Sequence, residues 1–143
     1  MVELHAPILP WKGIGGVKLY SHISDFVPLL TQQKVKGELL GKFLIKYEIN
    51  TSIDLWFSLI NGKLFKITAL SSYTGALFEK ITIGMHIDDV LKIEPSFVYD
   101  DFEEIYCSDK GIYIETDPTT DIVLWISVYI KEVDNEDFET GNW

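Results

Sequence analysis

The chain has 143 residues, close to the modal length of one domain, and its apolar and charged fractions of 47% and 24% are typical of globular proteins. No segment approaches the run of about twenty apolar residues that a membrane-spanning helix needs, which argues against a membrane protein. The first sixteen residues lack the basic start and the apolar run of a signal peptide, so the sequence predicts a cytoplasmic protein.

The net charge of −10 is distributed unevenly along the chain. Residues 1–80 hold nine lysines and six acidic residues, whereas residues 81–143 hold three lysines and sixteen acidic residues. Such an acidic half repels phosphate backbones and attracts basic proteins. All twelve basic residues are lysines, so the chain lacks the planar guanidinium that suits bidentate recognition of phosphate or guanine. Both features argue against nucleic-acid binding.

A short internal repeat relates the two halves of the chain at an offset of 64 residues. Val17–Val27 aligns with Ile81–Leu91, with identical His, Ile and Asp residues and matching apolar positions. In each segment an alternating apolar stretch precedes a residue that can cap a helix, Ser24 in the first and Asp88 in the second. The pattern predicts pseudo-repeats over residues 17–70 and 81–131.

Three strand-like runs follow each predicted helix. The runs span residues 43–49, 53–60 and 63–70 in the first repeat and 102–108, 111–116 and 122–131 in the second. The sequence therefore predicts an α+β fold of two similar halves, each a short helix followed by a three-stranded antiparallel meander, which form one domain over residues 1–143. Residues 132–143 are acidic and lack apolar periodicity, which predicts a mobile tail.

Side-chain alternation predicts one apolar and one aromatic face for the second meander. In its last strand the core face consists of Ile122, Leu124, Ile126, Val128 and Ile130. The opposite face combines aromatic side chains with carboxylates, the usual composition of a protein-binding hot spot. The predicted partner-binding residues are Asp100, Asp101, Glu103, Glu104, Tyr106, Tyr113, Glu115, Asp117, Trp125 and Tyr129. If a helix or the other half covers this face, the same residues are structural.

No catalytic or metal-binding pattern is recognisable. His22 and His86 occupy equivalent repeat positions beside the predicted helix starts, which favours a structural role for both. The three histidines and the single Cys107 lack metal-ligand spacing, and the glycines of Gly13–Gly16 are not followed by the Gly-Lys-Ser/Thr of a phosphate-binding loop. We therefore expect no enzyme activity, no metal and no cofactor, and a buried or half-buried thiol at Cys107.

Residues Lys80–Val90 resemble the strand, Gly-Met and short helix that begin the β-lactamase-inhibitor-like fold. That resemblance implies a helical segment packed on a three- or four-stranded antiparallel sheet, with tandem copies that bind a protein through the open sheet face. The first repeat departs from the motif, with Tyr20-Ser21 in place of Gly-Met. In size, acidity, lack of arginine and aromatic-rich strands, the chain is also similar to immunity proteins of bacterial toxin systems, including contact-dependent inhibition.

Together these features predict an immunity protein that occludes a basic toxin domain, such as a nuclease, through an acidic and aromatic sheet face. An alternative is a structural or assembly protein that forms a homodimer through the same face. A small-molecule-binding domain with a pocket between two sheets is a third hypothesis. We expect neither a nucleic acid nor a membrane as a partner.

Overall fold

An antiparallel sheet of eight strands organises the computed structural model, which describes residues 2–143. A ribbon of β1 (Gly13–Ile14) and β2 (Val17–Lys18) precedes it. The strands of the large sheet are β3 (Val35–Leu40), β4 (Leu44–Ile49), β5 (Ile53–Ser58), β6 (Leu64–Ala69), β7 (Val98–Asp100), β8 (Ile105–Ser108), β9 (Ile112–Thr116) and β10 (Val123–Tyr129). The α+β class predicted from the sequence is confirmed.

The helices are few and short. A 3-10 turn, Ile23–Phe26, leads into α1 (Val27–Leu30), and α2 (Ile87–Ile93) precedes β7. After β10, a second 3-10 turn, Lys131–Asp134, leads into α3 (Glu136–Thr140). Within residues 2–143, none of the helices has the length and apolar character required to cross a membrane.

The strand order β3-β4-β5-β6-β10-β9-β8-β7 brings the last strands of two meanders side by side. Each meander has four strands, so the predicted count of three was wrong. The additional strands are the outermost ones, β3 and β7. Neither could be recognised by alternation, because β3 contains Lys36, Gly37 and Glu38 in succession and β7 has only three residues.

The main core lies on one face of the large sheet. Ile53, Leu55, Ile67, Ile112, Ile114, Ile126 and Val128 are fully buried there. The first two helical segments cover this face: the ring of Phe26 lies 5.6 Å from that of Phe57, and Ile87 and Val90 of α2 belong to the same buried cluster. Removal of these apolar side chains from water is the main driving force for the fold.

Histidines cap the first two helical segments. Nδ1 of His22 accepts a hydrogen bond from the backbone N–H of Ser24 at 3.1 Å, and Nδ1 of His86 accepts one from the N–H of Asp88, also at 3.1 Å. Both imidazoles therefore satisfy a backbone donor that the helix leaves unpaired. The predicted caps, Ser24 and Asp88, lie two residues C-terminal to the observed caps, His22 and His86.

The C-terminal segment, which the sequence predicts to be a mobile tail, forms a 3-10 turn and a short helix. The ring of Phe138 lies 4.9 Å from that of Phe65 and stacks on Trp143 at 5.8 Å. The side-chain amide of Asn61 donates to the carbonyl of Gly141 at 3.2 Å. Widely spaced apolar anchors therefore hold this segment on the domain, although their spacing gives no helical periodicity.

Replacement of Phe138 with alanine tests this attachment. Loss of a half-buried ring that contacts Phe65 should lower the free energy of unfolding by about 1–3 kcal/mol, measured by urea denaturation. Glu139→Ala, at an exposed position of the same helix, is the control and should change stability by less than about 0.5 kcal/mol. Identical midpoints for the two variants would show that the segment adds nothing to stability.

Candidate functional site

The face of the large sheet opposite the core is the candidate site, and we call it the open face. The strand register places Trp56 beside Lys66 and Lys66 beside Tyr129 in one row. A second row runs from Asp54 through Thr68 and Ser127 to Tyr113. The open face is defined by Lys46, Glu48, Asp54, Trp56, Lys66, Thr68, Tyr113, Glu115, Trp125, Ser127 and Tyr129.

Two cavities lie along the open face. The central cavity, of about 430 Å³, is lined by Trp56, Tyr113 and Trp125 together with polar side chains of β4, β5, β6 and β9. The side cavity, of about 600 Å³, extends from Leu44 on β4 to Asp100 on β7. Because one cavity touches strands near opposite edges of the sheet, the sheet must curve around the open face.

The C-terminal segment covers one end of the open face. Val133 and Phe138 line the side cavity, whereas neither lines the central cavity. The ring of Trp11 packs edge-on against Tyr129, which also lines the side cavity, at 5.7 Å. Neither the C-terminal segment nor Trp11 therefore lines the central cavity.

Lys66 lies at the centre of the open face. Its Nζ is 4.1 Å from the ring centroid of Trp56 and 4.8 Å from that of Tyr113. Burial lowers the pKa of Lys66 to about 8, while the charges of Glu115 and Asp54 act in the opposite direction. No side chain in residues 2–143 forms an ion pair with this ammonium. Cation–π contacts thus hold it in place without a hydrogen-bonded counter-ion.

Asp54 is the most unusual carboxylate of the open face, because its side chain is buried without compensation. The residue is only 7% exposed, and its Oδ1 has no hydrogen-bond partner within residues 2–143. Burial raises the pKa of Asp54 to about 6, although Lys46 and Lys66 favour the charged form. The buried Nε1 of Trp56 likewise has no hydrogen-bond partner within residues 2–143. Each such group costs about 1–3 kcal/mol unless water or a ligand supplies a partner.

Four of the predicted partner-binding residues come together on the open face. They are Tyr113, Glu115, Trp125 and Tyr129. Burial raises the pKa of Tyr113 to about 12 and also raises the pKa values of Glu115 and Tyr129. Among the three aromatic residues of this group, Trp125 is the most accessible, with 39% of its surface exposed.

The acidic residues of the β7–β8 turn lie at the rim of the open face. Asp100 and Glu103 line the side cavity, whereas Asp101 and Glu104 are exposed and line neither cavity. Oδ1 of Asp100 accepts the backbone N–H groups of Phe102 and Glu103 at 2.9 and 3.1 Å, which orders the turn. The nearby Cys107 is half-buried, and burial together with neighbouring carboxylates raises the pKa of its thiol.

Tyr106 does not belong to the open face, which corrects the prediction. It pairs with Ile114 in the register, so its side chain projects on the core side, where its ring lies 4.9 Å from that of Tyr99. The strand runs predicted from the sequence, 102–108 and 111–116, leave only two residues between them, Asp109 and Lys110, and would pair Tyr106 with Tyr113. The observed loop has three residues, Asp109 to Gly111, and this shift of one position moves Tyr106 to the other face.

Asp117 has a local structural role outside the two cavities. Its Oδ1 accepts the backbone N–H groups of Thr119 and Thr120 at 2.8 and 3.0 Å, and these bonds lower its pKa. The adjacent strand β10 begins with a bulge, so Val123 is buried in the core although alternation placed it on the aromatic face. Leu124, a predicted core residue, is only half-buried.

The first meander contributes several side chains that the sequence analysis did not assign to the site. They are Lys46, Glu48, Asp54, Trp56, Lys66 and Thr68. The signal for Asp54 and Trp56 was present, because they alternate with the core residues Ile53, Leu55 and Phe57. Their position beside Tyr113 could not be deduced, because it depends on the pairing of β6 with β10.

Comparison of the chain with models of known protein families, with curated proteins and with solved structures finds no match in any of the three. Among residues 2–143, no three His, Cys, Asp or Glu side chains are grouped so that they could hold a metal ion. The function must therefore be inferred from the chemistry of the open face.

The buried carboxylate of Asp54 predicts a pH-dependent stability. A folded-state pKa of about 6, above the ordinary value of 3.8, means that the folded protein binds more protons than the unfolded chain between these values. The Asp54 contribution to stability therefore decreases as the pH rises from about 4 to about 6. Above pH 6, Asp54→Asn should be more stable than the native protein by about 1–2 kcal/mol, and this difference should vanish near pH 4.

Urea denaturation at pH 7.5 and pH 4 measures this effect. Asp25→Asn, at an exposed position in the first 3-10 turn, is the matched control and should show the same difference from the native protein at both pH values. If Asp54→Asn behaves in the same way as Asp25→Asn, the carboxylate of Asp54 is not desolvated in the folded protein.

Proposed function

We propose that this protein is an immunity protein that binds and occludes a basic toxin domain through the open face. The proposal depends on the composition of the two cavities, whose aromatic walls carry an excess of carboxylates. The lysines that line them are Lys46 and Lys66. The carboxylates that line them are Glu48, Asp54, Asp100, Glu103, Glu115 and Asp134. Aromatic anchors surrounded by such an acidic field suit a basic protein surface.

The proposed mechanism is direct occlusion. A toxin that cleaves RNA or DNA presents a basic cleft to its substrate, and an acidic concave surface complements that cleft. Long-range attraction speeds the encounter, while aromatic contacts from which water is excluded slow dissociation. Inhibition of this kind requires no catalytic group in the inhibitor, so we propose no enzyme activity, and we place the protein in the cytoplasm, where such a toxin would act.

Phe102 provides a further anchor at the rim. It is 92% exposed at the tip of the β7–β8 turn, and acidic residues lie on both sides of it in the sequence. A ring of this size offers a large apolar contact area to a partner that covers it. We include Phe102 in the proposed interface, beside the side cavity lined by Asp100 and Glu103.

We also propose that the open face is built from two copies of one structural unit. Each unit consists of a histidine-capped helical segment followed by four strands. His22 forms an isolated bridge with Lys63 just before β6, and His86 forms one with Ile122 just before β10. These corresponding bridges support the pseudo-repeats, 17–70 and 81–131, that the sequence pattern indicates.

Capture of the partner tests the immunity function. The tagged protein is recovered from its native cells at low and high salt, and the bound proteins are identified by mass spectrometry. We expect one basic toxin domain in near-equal amount, less of it at high salt, and loss of its nuclease activity when the purified protein is added. A captured protein whose activity is unaffected would contradict the immunity function. Recovery of the bait alone, with a stable dimer in sedimentation at micromolar concentration, would favour homodimerisation instead.

Two variants separate steering from anchoring in the complex with the captured domain. Glu103→Lys should lower the association rate several-fold and reduce its salt dependence, because it reverses a rim charge. Trp125→Ala should raise the dissociation rate about tenfold or more, because it removes an aromatic anchor from the central cavity. Surface plasmon resonance measures both rates.

Phe102→Ala and Asp25→Lys complete this set. Phe102→Ala should also speed dissociation and should leave the thermal midpoint unchanged, because the ring is almost fully exposed. Asp25→Lys changes a charge on the helix that packs on the core side and should alter association less than Glu103→Lys. Equal effects of Asp25→Lys and Glu103→Lys would mean that net charge, and not the open face, controls binding.

A further inference from the structure

The central cavity contains more negative than positive charge that is free to engage a partner. Glu48, Asp54 and Glu115 line it, and none of them forms an ion pair within residues 2–143. Of its two lysines, Lys46 pairs with Glu38, outside the cavity lining, at 3.6 Å. The ammonium of Lys66 is engaged by two aromatic rings. A third cation is the simplest group that would balance this charge.

Asp54 gives this charge excess a definite point of attachment. The residue is 7% exposed and lines the cavity, and within the described chain its Oδ1 is shielded from solvent and accepts no hydrogen bond. A carboxylate oxygen in this state gains much more from a charged donor than a solvated one does, because its desolvation has already occurred. A positively charged N–H donor that reaches the accessible part of this carboxylate would therefore offset its desolvation better than a neutral donor.

The walls of the cavity favour a planar donor. Trp56, Tyr113 and Trp125 line it together with the apolar Leu70. A guanidinium stacks on aromatic faces, is weakly hydrated and presents several N–H groups in one plane, whereas an ammonium is a compact and strongly hydrated charge. The volume of about 430 Å³ lies within the range of pockets that bind small organic groups.

We propose that the central cavity receives an arginine side chain of the protein partner, with its guanidinium against the aromatic walls and its N–H groups donating to Asp54. The inference depends on the proposed function, because the partner supplies the arginine. An anionic group is a poorer occupant, since three unpaired carboxylates would repel it. Lysine ammonium groups already lie over Trp56 and Tyr113, so Trp125 is the aromatic wall that has no cation–π contact within the described chain.

The test uses three capped tripeptides and the whole protein, without the natural partner. The peptides are acetyl-Gly-Arg-Gly-amide, its lysine analogue and its citrulline analogue, which matches arginine in shape but carries no charge. NMR signals of the indole N–H groups of Trp56 and Trp125 report binding. We expect the arginine peptide to shift both signals with a millimolar Kd, the lysine peptide to bind several-fold more weakly and the citrulline peptide about tenfold more weakly.

Matched variants identify the receiving carboxylate. Asp54→Asn keeps the size of the side chain and should weaken the arginine peptide about tenfold, to the level of the citrulline peptide. Asp25→Asn, outside the cavity, should bind as the native protein does. Thermal melting of each variant checks the fold, and Asp54→Asn should melt no lower than the native protein because it removes a buried charge.

Three results would each overturn the inference: equal binding of the arginine and citrulline peptides, equal binding of the arginine and lysine peptides, or native-like binding by Asp54→Asn. Because these measurements need no toxin, their failure is distinct from failure of the proposed function. Binding of the arginine peptide without capture of a basic toxin would retain the site and remove the immunity function. If the protein captures and inhibits a toxin but does not bind the peptides, the immunity function is retained and the arginine site is removed.

Discussion

The antiparallel pairing of β6 with β10 is the interaction on which both the core and the open face depend. It places Ile67 opposite Val128 and Ala69 opposite Ile126, and all four side chains are fully buried on the core side. On the other side the same pairing brings Thr68 next to Ser127, whose hydroxyl groups are 2.8 Å apart. One register therefore determines which apolar residues meet beneath the sheet and which polar residues meet above it. A shift of one residue would exchange the two sets.

The open face carries an energetic cost in the free protein. Asp54 and Lys66 are both desolvated, and their pKa values move in opposite directions, each toward the neutral form. Apolar side chains of similar volume at these positions would often be neutral or stabilising. A central sheet that positions unpaired charges and aromatic rings side by side is, however, already organised for the proposed partner. Binding then requires little further ordering of side chains.

Local sequence patterns predicted those features of the fold that depend on neighbouring residues, chiefly the positions of most strands. Alternation located β4, β5, β6, β9 and β10, because each has an apolar row that faces the core. It also located β8, although Tyr106 and Ser108 occupy that face there. The outer strands β3 and β7 have no such row. Loop geometry set the remaining error: the β8–β9 loop is one residue longer than expected, which reversed the orientation of Tyr106. The site residues of the second meander could be recognised in the sequence. Asp54 and Lys66 could not be assigned to the site, because their place in it depends on the pairing of β6 with β10, which no local pattern contains.

The spatial arrangement of charge also changes the electrostatic argument that the sequence suggests. The acidic surplus lies in residues 81–143, yet the central cavity combines Glu115 of that half with Glu48, Asp54 and both lysines of the other. A uniformly acidic surface would attract any basic protein, including abundant ones that bind nucleic acids. Lys46 and Lys66 oppose that general attraction, because a partner that places positive charge directly over them is repelled. In the proposed complex, only a partner whose cationic groups reach the carboxylates and avoid the lysines gains the full interaction, so the lysines would add discrimination at the expense of affinity.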